Sequence, residues 1–160
     1  MKDLVAITEK IAAKLIERRQ TIAVAESSTG GLISAALLAV PGASAYFLGG
    51  GVIYTRDARR ILMDIPDDAM KGIRSASEPY ATLLASQIRQ RFPTDWGLSE
   101  TGATGPTGNR YGDAAGHSCM AVAGPQSQVI TLETGSNDRV ANMQAFASTA
   151  LNLLLQNLSR

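Results

Sequence analysis

The sequence predicts an α/β layered fold in a single domain spanning residues 1–160. Three observations carry this expectation. The chain opens in the order helix, strand, polar turn, helix, which is how layered α/β domains begin. Short apolar runs end in loops of small residues, at Glu26–Gly31 and again at Gly102–Asn109. The length of 160 residues suits one domain, and a chain of this size buries about 70% of its unfolded surface without staples.

Residues 3–19 read as an amphipathic helix. Leu4, Ile7, Ile11 and Leu15 recur at helical spacing, with Asp3 as the expected N-cap. Thr21–Ala25 is a short apolar run, expected as a buried strand. Leu32–Val40 follows as a buried helix stopped by Pro41. Gly49–Gly51 leads into an expected strand at Val52–Thr55, and Arg56–Met63 into a short helix ahead of Pro66. Ser77 is the expected cap of a helix to about Phe92, with Pro79 in the first turn, where a missing N–H costs little. Trp96–Thr101 is an expected strand. His117–Ala123 and Gln128–Glu133 read as adjacent strands turned at Gly124-Pro125, and Asp138–Leu158 as a closing helix.

Composition narrows the function. The net charge of +1 lacks the basic excess of a dedicated nucleic-acid binder, for which phosphate neutralisation dominates affinity. Charged residues make up 18% and apolar residues 45%, a balance that argues against disorder. A lone Cys119 allows no internal disulfide and fits a reducing compartment. With His117 the single histidine, a zinc site of Cys and His ligands is ruled out, while a magnesium site on carboxylates stays open. The opening MKDLVAITEK is not a signal peptide, and no run of about 20 apolar residues predicts a membrane span. The expected location is the cytoplasm. Few charges make self-association into a homo-oligomer a further expectation.

Both small-residue loops follow strands, and ligands of open α/β sheets bind beyond the carboxyl ends of strands. Gly30 and Gly31 allow close backbone approach, and the helix start after them offers N–H groups to a phosphate or an oxyanion. A tight turn with no ligand explains the same residues equally well. GATGPTG has neither the Gly-Lys-Ser/Thr ending of a Walker motif nor Rossmann spacing. Ser27 stands at a strand end as a nucleophile candidate that needs a base. His117 is more simply structural. Glu26 reads either as an acid or base or as an ion-pair partner of Arg59. Tyr54 reads as a pocket hydroxyl or an ordinary interface tyrosine. Arg56, Arg59 and Arg60 read as an anion site or a solvated helix face.

The stretch AESSTGGLISAALLAVPGASAYFLGGGVIY, followed by SETGATGPTG, resembles the two glycine loops of the CinA C-terminal domain family in order and spacing. The family's own forms are AESCTGG and TGIAGP. The resemblance runs along nearly the whole chain. It implies a three-layer αβα sandwich with a mixed sheet, and a pocket at the strand ends near Ser27 and Gly102. It also implies the activity of the family's PncC-like members. They deamidate nicotinamide mononucleotide to nicotinate mononucleotide and ammonia, with a serine nucleophile, a lysine base, no metal and no cofactor.

Carried onto this chain, the serine falls on Ser27 and the family's Y-x-x-x-x-K stretch on Tyr54 and Arg59. Ser28, Thr29, Gly30, Gly31, Thr101, Gly102, Gly105 and Arg139 are the expected substrate contacts. The expected partner is a small nucleotide, with no nucleic acid and no membrane. Arg59 is the main departure. A guanidinium stays protonated at neutral pH and cannot accept the serine proton as a lysine of lowered pKa does. Ser28 replaces the motif's cysteine, Gly112–Gly116 replaces the family's K-P-V-G segment, and the late GDR segment becomes Asn137-Asp138-Arg139 without a further arginine. These departures keep open an inactive paralogue that binds a pyridine nucleotide or another phosphorylated ligand; a protein-interaction module is a further alternative, since the resemblance is to a domain that often accompanies a larger partner domain.

Overall fold

A computed structural model describes residues 1–160. Helix α1 (Lys2–Arg18) leads to strand β1 (Ile22–Glu26), helix α2 (Leu32–Leu38), strand β2 (Phe47–Val52) and helix α3 (Arg56–Met63). Helix α4 (Glu78–Arg91), strands β3 (Trp96–Ala103), β4 (His117–Ala123) and β5 (Gln128–Glu133), and helix α5 (Arg139–Leu158) complete the chain. The sheet order is β2-β1-β3-β4-β5. β1 is parallel to both its neighbours, and the β3–β4 and β4–β5 pairs are antiparallel. The sheet is therefore mixed, as expected.

Helices cover both faces, which makes three layers. On one face α1, α2 and α5 bury Leu4, Ile11, Leu15, Ile33, Phe146 and Leu154 against Val24, Leu98 and Met120. On the other, Met63 of α3 and Tyr80, Leu84 and Ile88 of α4 pack on Ala23 and Ala25. Parallel strands flanked by helices lose the in–out alternation of half-exposed strands, and all five residues of β1 are buried. No helix is long and apolar enough to cross a membrane.

Side-chain caps set several helix starts where the sequence placed them. Ser77 Oγ accepts from Tyr80 N–H at 3.3 Å, and Asp138 accepts from Ala141 N–H at 3.0 Å. Asp3 is not a cap: α1 starts from Met1, and Asp3 lies in the first turn, where its charge suits the helix dipole.

The expected strand at Val52–Thr55 is displaced. β2 runs through the glycines instead, and Thr55 caps α3 by accepting from Ala58 N–H at 3.0 Å. The glycines belong inside the strand because neighbours press on it. A Cβ at Gly50 would lie 2.7 Å from the Val24 carbonyl oxygen, and one at Gly49 would meet the Phe92 ring.

Candidate functional site

β1 and β3 are parallel neighbours, so their carboxyl ends emerge side by side. The loop after β1 carries Ser27, and the end of β3 carries Thr101 and Gly102. Two wholly buried carboxylates hold this region. Glu26, the last residue of β1, accepts from Thr29 Oγ1, from the N–H groups of Gly31, Ile33 and Ser34, and from Ser34 Oγ, at 2.7–3.1 Å. It is thereby consumed as the anchor of the α2 start. It makes no pair with Arg59, which corrects both readings offered for it.

Glu100 of β3 is the second anchor. Its Oε2 accepts from Ser27 N–H at 3.1 Å and Thr29 N–H at 3.0 Å, and lies 2.9 Å from Thr29 Oγ1, whose single proton it shares with Glu26. Its Oε1 accepts from Ser28 Oγ and from Ser118 Oγ. Burial pushes the Glu100 carboxyl up, and the hydrogen bonds from Ser28, Thr29 and Ser27 oppose that shift. These bonds fix the direction in which Ser27 leaves the strand. Ser27 Oγ itself makes no protein hydrogen bond.

Ser27 opens onto a cavity of about 610 Å³. Tyr54, Arg59, Thr101 and Gly102 share its wall, together with Arg56, Asp67, Arg74, Tyr80, Arg110 and Tyr111. Four arginines thus face one lining carboxylate. Arg59 is buried in spite of its charge. Its Nη2 donates to Asp67 Oδ1 at 2.9 Å, and its Nε is buried without an acceptor.

Tyr80 lies beside Arg59; burial raises the phenol pKa, and the neighbouring guanidinium opposes the rise. Arg74 donates to Asp113 at 2.7 Å and 3.1 Å. Arg56 and Arg110 have no carboxylate partner within ion-pair distance, since the salt bridges of the chain involve other arginines. Arg74 and Arg110 stack over the Tyr111 ring at 5.3 Å and 5.2 Å. The bond from Arg110 lowers the Tyr111 pKa. A wall of this kind attracts anions.

The remaining expected contacts lie elsewhere. Thr29, Gly30 and Gly31 border a second cavity of about 480 Å³ with Val140, Met143 and Gln144. Their N–H groups are already committed, to Glu100, Ser27 and Glu26 respectively. Within Ser28–Gly31, only Ser28 N–H keeps no protein acceptor. The Ser28 hydroxyl is bound to Glu100.

Arg139 and Gly105 lie outside the first cavity's wall but support it. Arg139 Nη1 donates to the Gly105 carbonyl at 2.5 Å and Nη2 to the Tyr54 hydroxyl at 3.3 Å. Arg60 turns away to Asp57. No lysine is among the lining residues.

His117 is not on the wall. Its Nδ1 meets Glu133, and its Nε2 meets the Ala76 carbonyl at 2.7 Å. Burial alone would lower its pKa, but Glu133, Ala76 and Asp113 together outweigh burial and raise it. Ala76 lines the cavity with a left-handed backbone, φ 55°. Thr101 Oγ1 holds its N–H at 3.1 Å. His117 is thus a strut beneath the wall.

Sequence reasoning missed Glu100, Asp67, Arg74, Tyr80, Arg110 and Tyr111. The readable signal for Glu100 was the one charged residue in the strand WGLSETGA. The others arrive from separate segments and had none.

Fold and site together define a class: a three-layer α/β protein with a cationic, strand-end cavity beside a conformationally fixed serine. The family model for the CinA C-terminal domain matches residues 4–158, and the chain belongs to that family.

It is 34% identical over 152 residues to a CinA-like protein of Desulforapulum autotrophicum, covering 94% of this chain and 36% of that protein. It is 38% identical over 126 residues to a CinA-like protein of Gloeobacter violaceus, covering 78% and 30%. The chain spans about a third of the length of these curated relatives. Among solved structures, it resembles the competence/damage inducible protein CihA from Agrobacterium tumefaciens at TM-score 0.90 and 26% identity, covering 99% of this chain and 96% of that one. A CinA superfamily protein from Escherichia coli matches at TM-score 0.89 and 25% identity, covering 96% and 89%.

Proposed function

We propose that the cavity binds a phosphorylated pyridine nucleotide and that Ser27 slowly hydrolyses its carboxamide. The observation that carries this reading is Ser27 itself: its backbone is pinned by Glu100, and it opens onto a cavity walled by four arginines and three tyrosines. In this reaction Ser27 Oγ attacks the carboxamide carbon, and the tetrahedral adduct collapses with cleavage of the C–N bond; ammonia leaves carrying the serine proton, and the acyl-enzyme remains. Water then releases the carboxylate and restores the serine. Arg56 and Arg110 attract the phosphate, and an aromatic wall residue faces the ring. Tyr54, braced by Arg139, orients the reacting end.

Arg59 sets the rate. It occupies the wall as a cation held by Asp67, so the serine proton has no poised lysine to receive it. Loss of general-base assistance typically costs about 10²–10⁴-fold. The test is release of ammonia and nicotinate mononucleotide from nicotinamide mononucleotide, with Ser27→Ala as control. Slow release abolished by Ser27→Ala supports the reading; release that survives Ser27→Ala refutes it.

The Arg59–Asp67 pair also favours a second reading, a paralogue that binds the nucleotide without turning it over. Tight binding with no release, in the wild type and in Arg59→Lys alike, would select it.

A further inference from the structure

We infer that the cavity prefers a ligand carrying a carboxylate in addition to its phosphate, and that Arg59 reads the carboxylate. The inference rests on the reading that this cavity is the nucleotide site, and it specifies which form of the nucleotide the site retains. Arginine has five N–H donors. Arg59 Nη2 serves Asp67, the Tyr80 hydroxyl is a second partner of the guanidinium, and Nε is a buried donor without an acceptor. Such a donor set is unusual, because buried polar atoms nearly always find partners.

The side chain is 9% exposed and lies on the wall shared with Ser27. An acid group in the cavity of Ser27 therefore shares its wall with a largely desolvated cation, one of whose donors has no acceptor. A carboxylate forms charge-assisted hydrogen bonds with a guanidinium, roughly twice as strong as neutral ones. A carboxamide offers one neutral oxygen and presents its own N–H groups to a donor, which gains nothing from them.

The rest of the wall favours the same ligand. The nicotinamide ring of the amide nucleotide is a pyridinium cation. Four lining arginines oppose that charge, with Asp67 alone on the wall to offset them. Converting the amide to the acid adds a negative charge next to the ring and makes that end neutral overall. Arg56 and Arg110 remain for the phosphate. In this protein the acid is thus the species held, whether it is formed in the cavity or arrives from solution. A phosphorylated carboxylate is the general ligand class.

Calorimetric titration of the Ser27→Ala chain, in which the amide stays intact, tests this with nicotinate mononucleotide against nicotinamide mononucleotide. A parallel pair, a phosphoglycerate against the matching glycerol phosphate, differs by a carboxylate without a nucleoside. The acid nucleotide is expected to bind at least about tenfold tighter, the scale of one charge-assisted hydrogen bond. Arg59→Gln should reduce that ratio to about twofold or less. Equal affinities for the two nucleotides, or tighter binding of the amide, would overturn the inference while leaving the nucleotide reading intact. Absence of nucleotide binding, with the phosphoglycerate still preferred about tenfold, would overturn the nucleotide reading and keep Arg59 as a carboxylate site. No preference in either pair overturns the inference without recourse to the Arg59 variant.

Discussion

Arg59 and Asp67 form an ion pair, Nη2 to Oδ1 at 2.9 Å, that places a buried guanidinium on the wall shared with Ser27. The pair spans α3 and the turn after it, so the cation is fixed by local structure and is present before any ligand arrives. The two readings of the site, slow hydrolysis and retention of an acid, both follow from this cation.

Glu100 should matter for stability and for the site in different degrees. Its Oε2 takes two backbone N–H groups, whereas Oε1 takes two serine hydroxyls that can turn to accept instead of donate. Glu100→Gln can place its amide nitrogen toward those hydroxyls and should cost about 1 kcal/mol. Glu100→Ala strands the Ser27 and Thr29 donors and should cost about 3 kcal/mol. Urea denaturation midpoints of both variants check the order. An equal loss would mean that the carboxylate charge, and not its geometry, holds the loop.

His117 predicts a decline of stability with rising pH. Its folded-state pKa lies above the reference value of 6.5. The contribution is therefore complete below about 6.5 and is lost as pH rises through the folded-state value. Asp113 acts in the opposite direction. Burial raises its pKa, but Arg74, Asn109 and His117 outweigh burial and depress it. Its contribution holds above the ordinary carboxylate pKa and is lost as pH falls through the depressed one. His117→Gln should flatten the alkaline decline of the urea midpoint. An unchanged slope would rule out the imidazolium as its source.

Gly97 is a packing requirement of the β3–α4 contact. A Cβ there would overlap the Ala85 carbonyl oxygen and lie 2.9 Å from Arg89 Cβ. The colliding atom is helix backbone and cannot swing aside. Gly97→Ala should lower stability by about 3 kcal/mol, at the upper end for overpacking. Calorimetric melting checks this, and a variant as stable as the parent would mean that α4 shifts freely.

Much of the fold could be read in advance because local rules and tertiary packing agree in it. Ser77 and Asp138 are caps by chemistry and by position, so α4 and α5 start where expected. β2 could not be read in the same way. Its three glycines look like a loop until Phe92 and Val24 are seen pressing on Gly49 and Gly50, contacts made by topology. At the site, Ser27 and Arg59 were legible through motif spacing, but the wall they join was not. Arg74, Arg110 and Tyr111 come from two loops far apart in the chain, and only the parallel pairing of β1 with β3 brings both to Ser27. Glu26 misled because a strand-end acid reads as a catalytic group or an ion-pair partner, whereas the α2 start that follows it supplies its donors.

The most direct test of the account replaces the cation. Ammonia release from nicotinamide mononucleotide is measured for the parent chain, for Arg59→Lys, and for Arg59→Lys combined with Ser27→Ala. Release should rise about 10²–10⁴-fold in Arg59→Lys, the range that a restored general base supplies, and vanish in the double variant. A folded Arg59→Lys protein that releases ammonia no faster than the parent, or a double variant that keeps the gain, would contradict it.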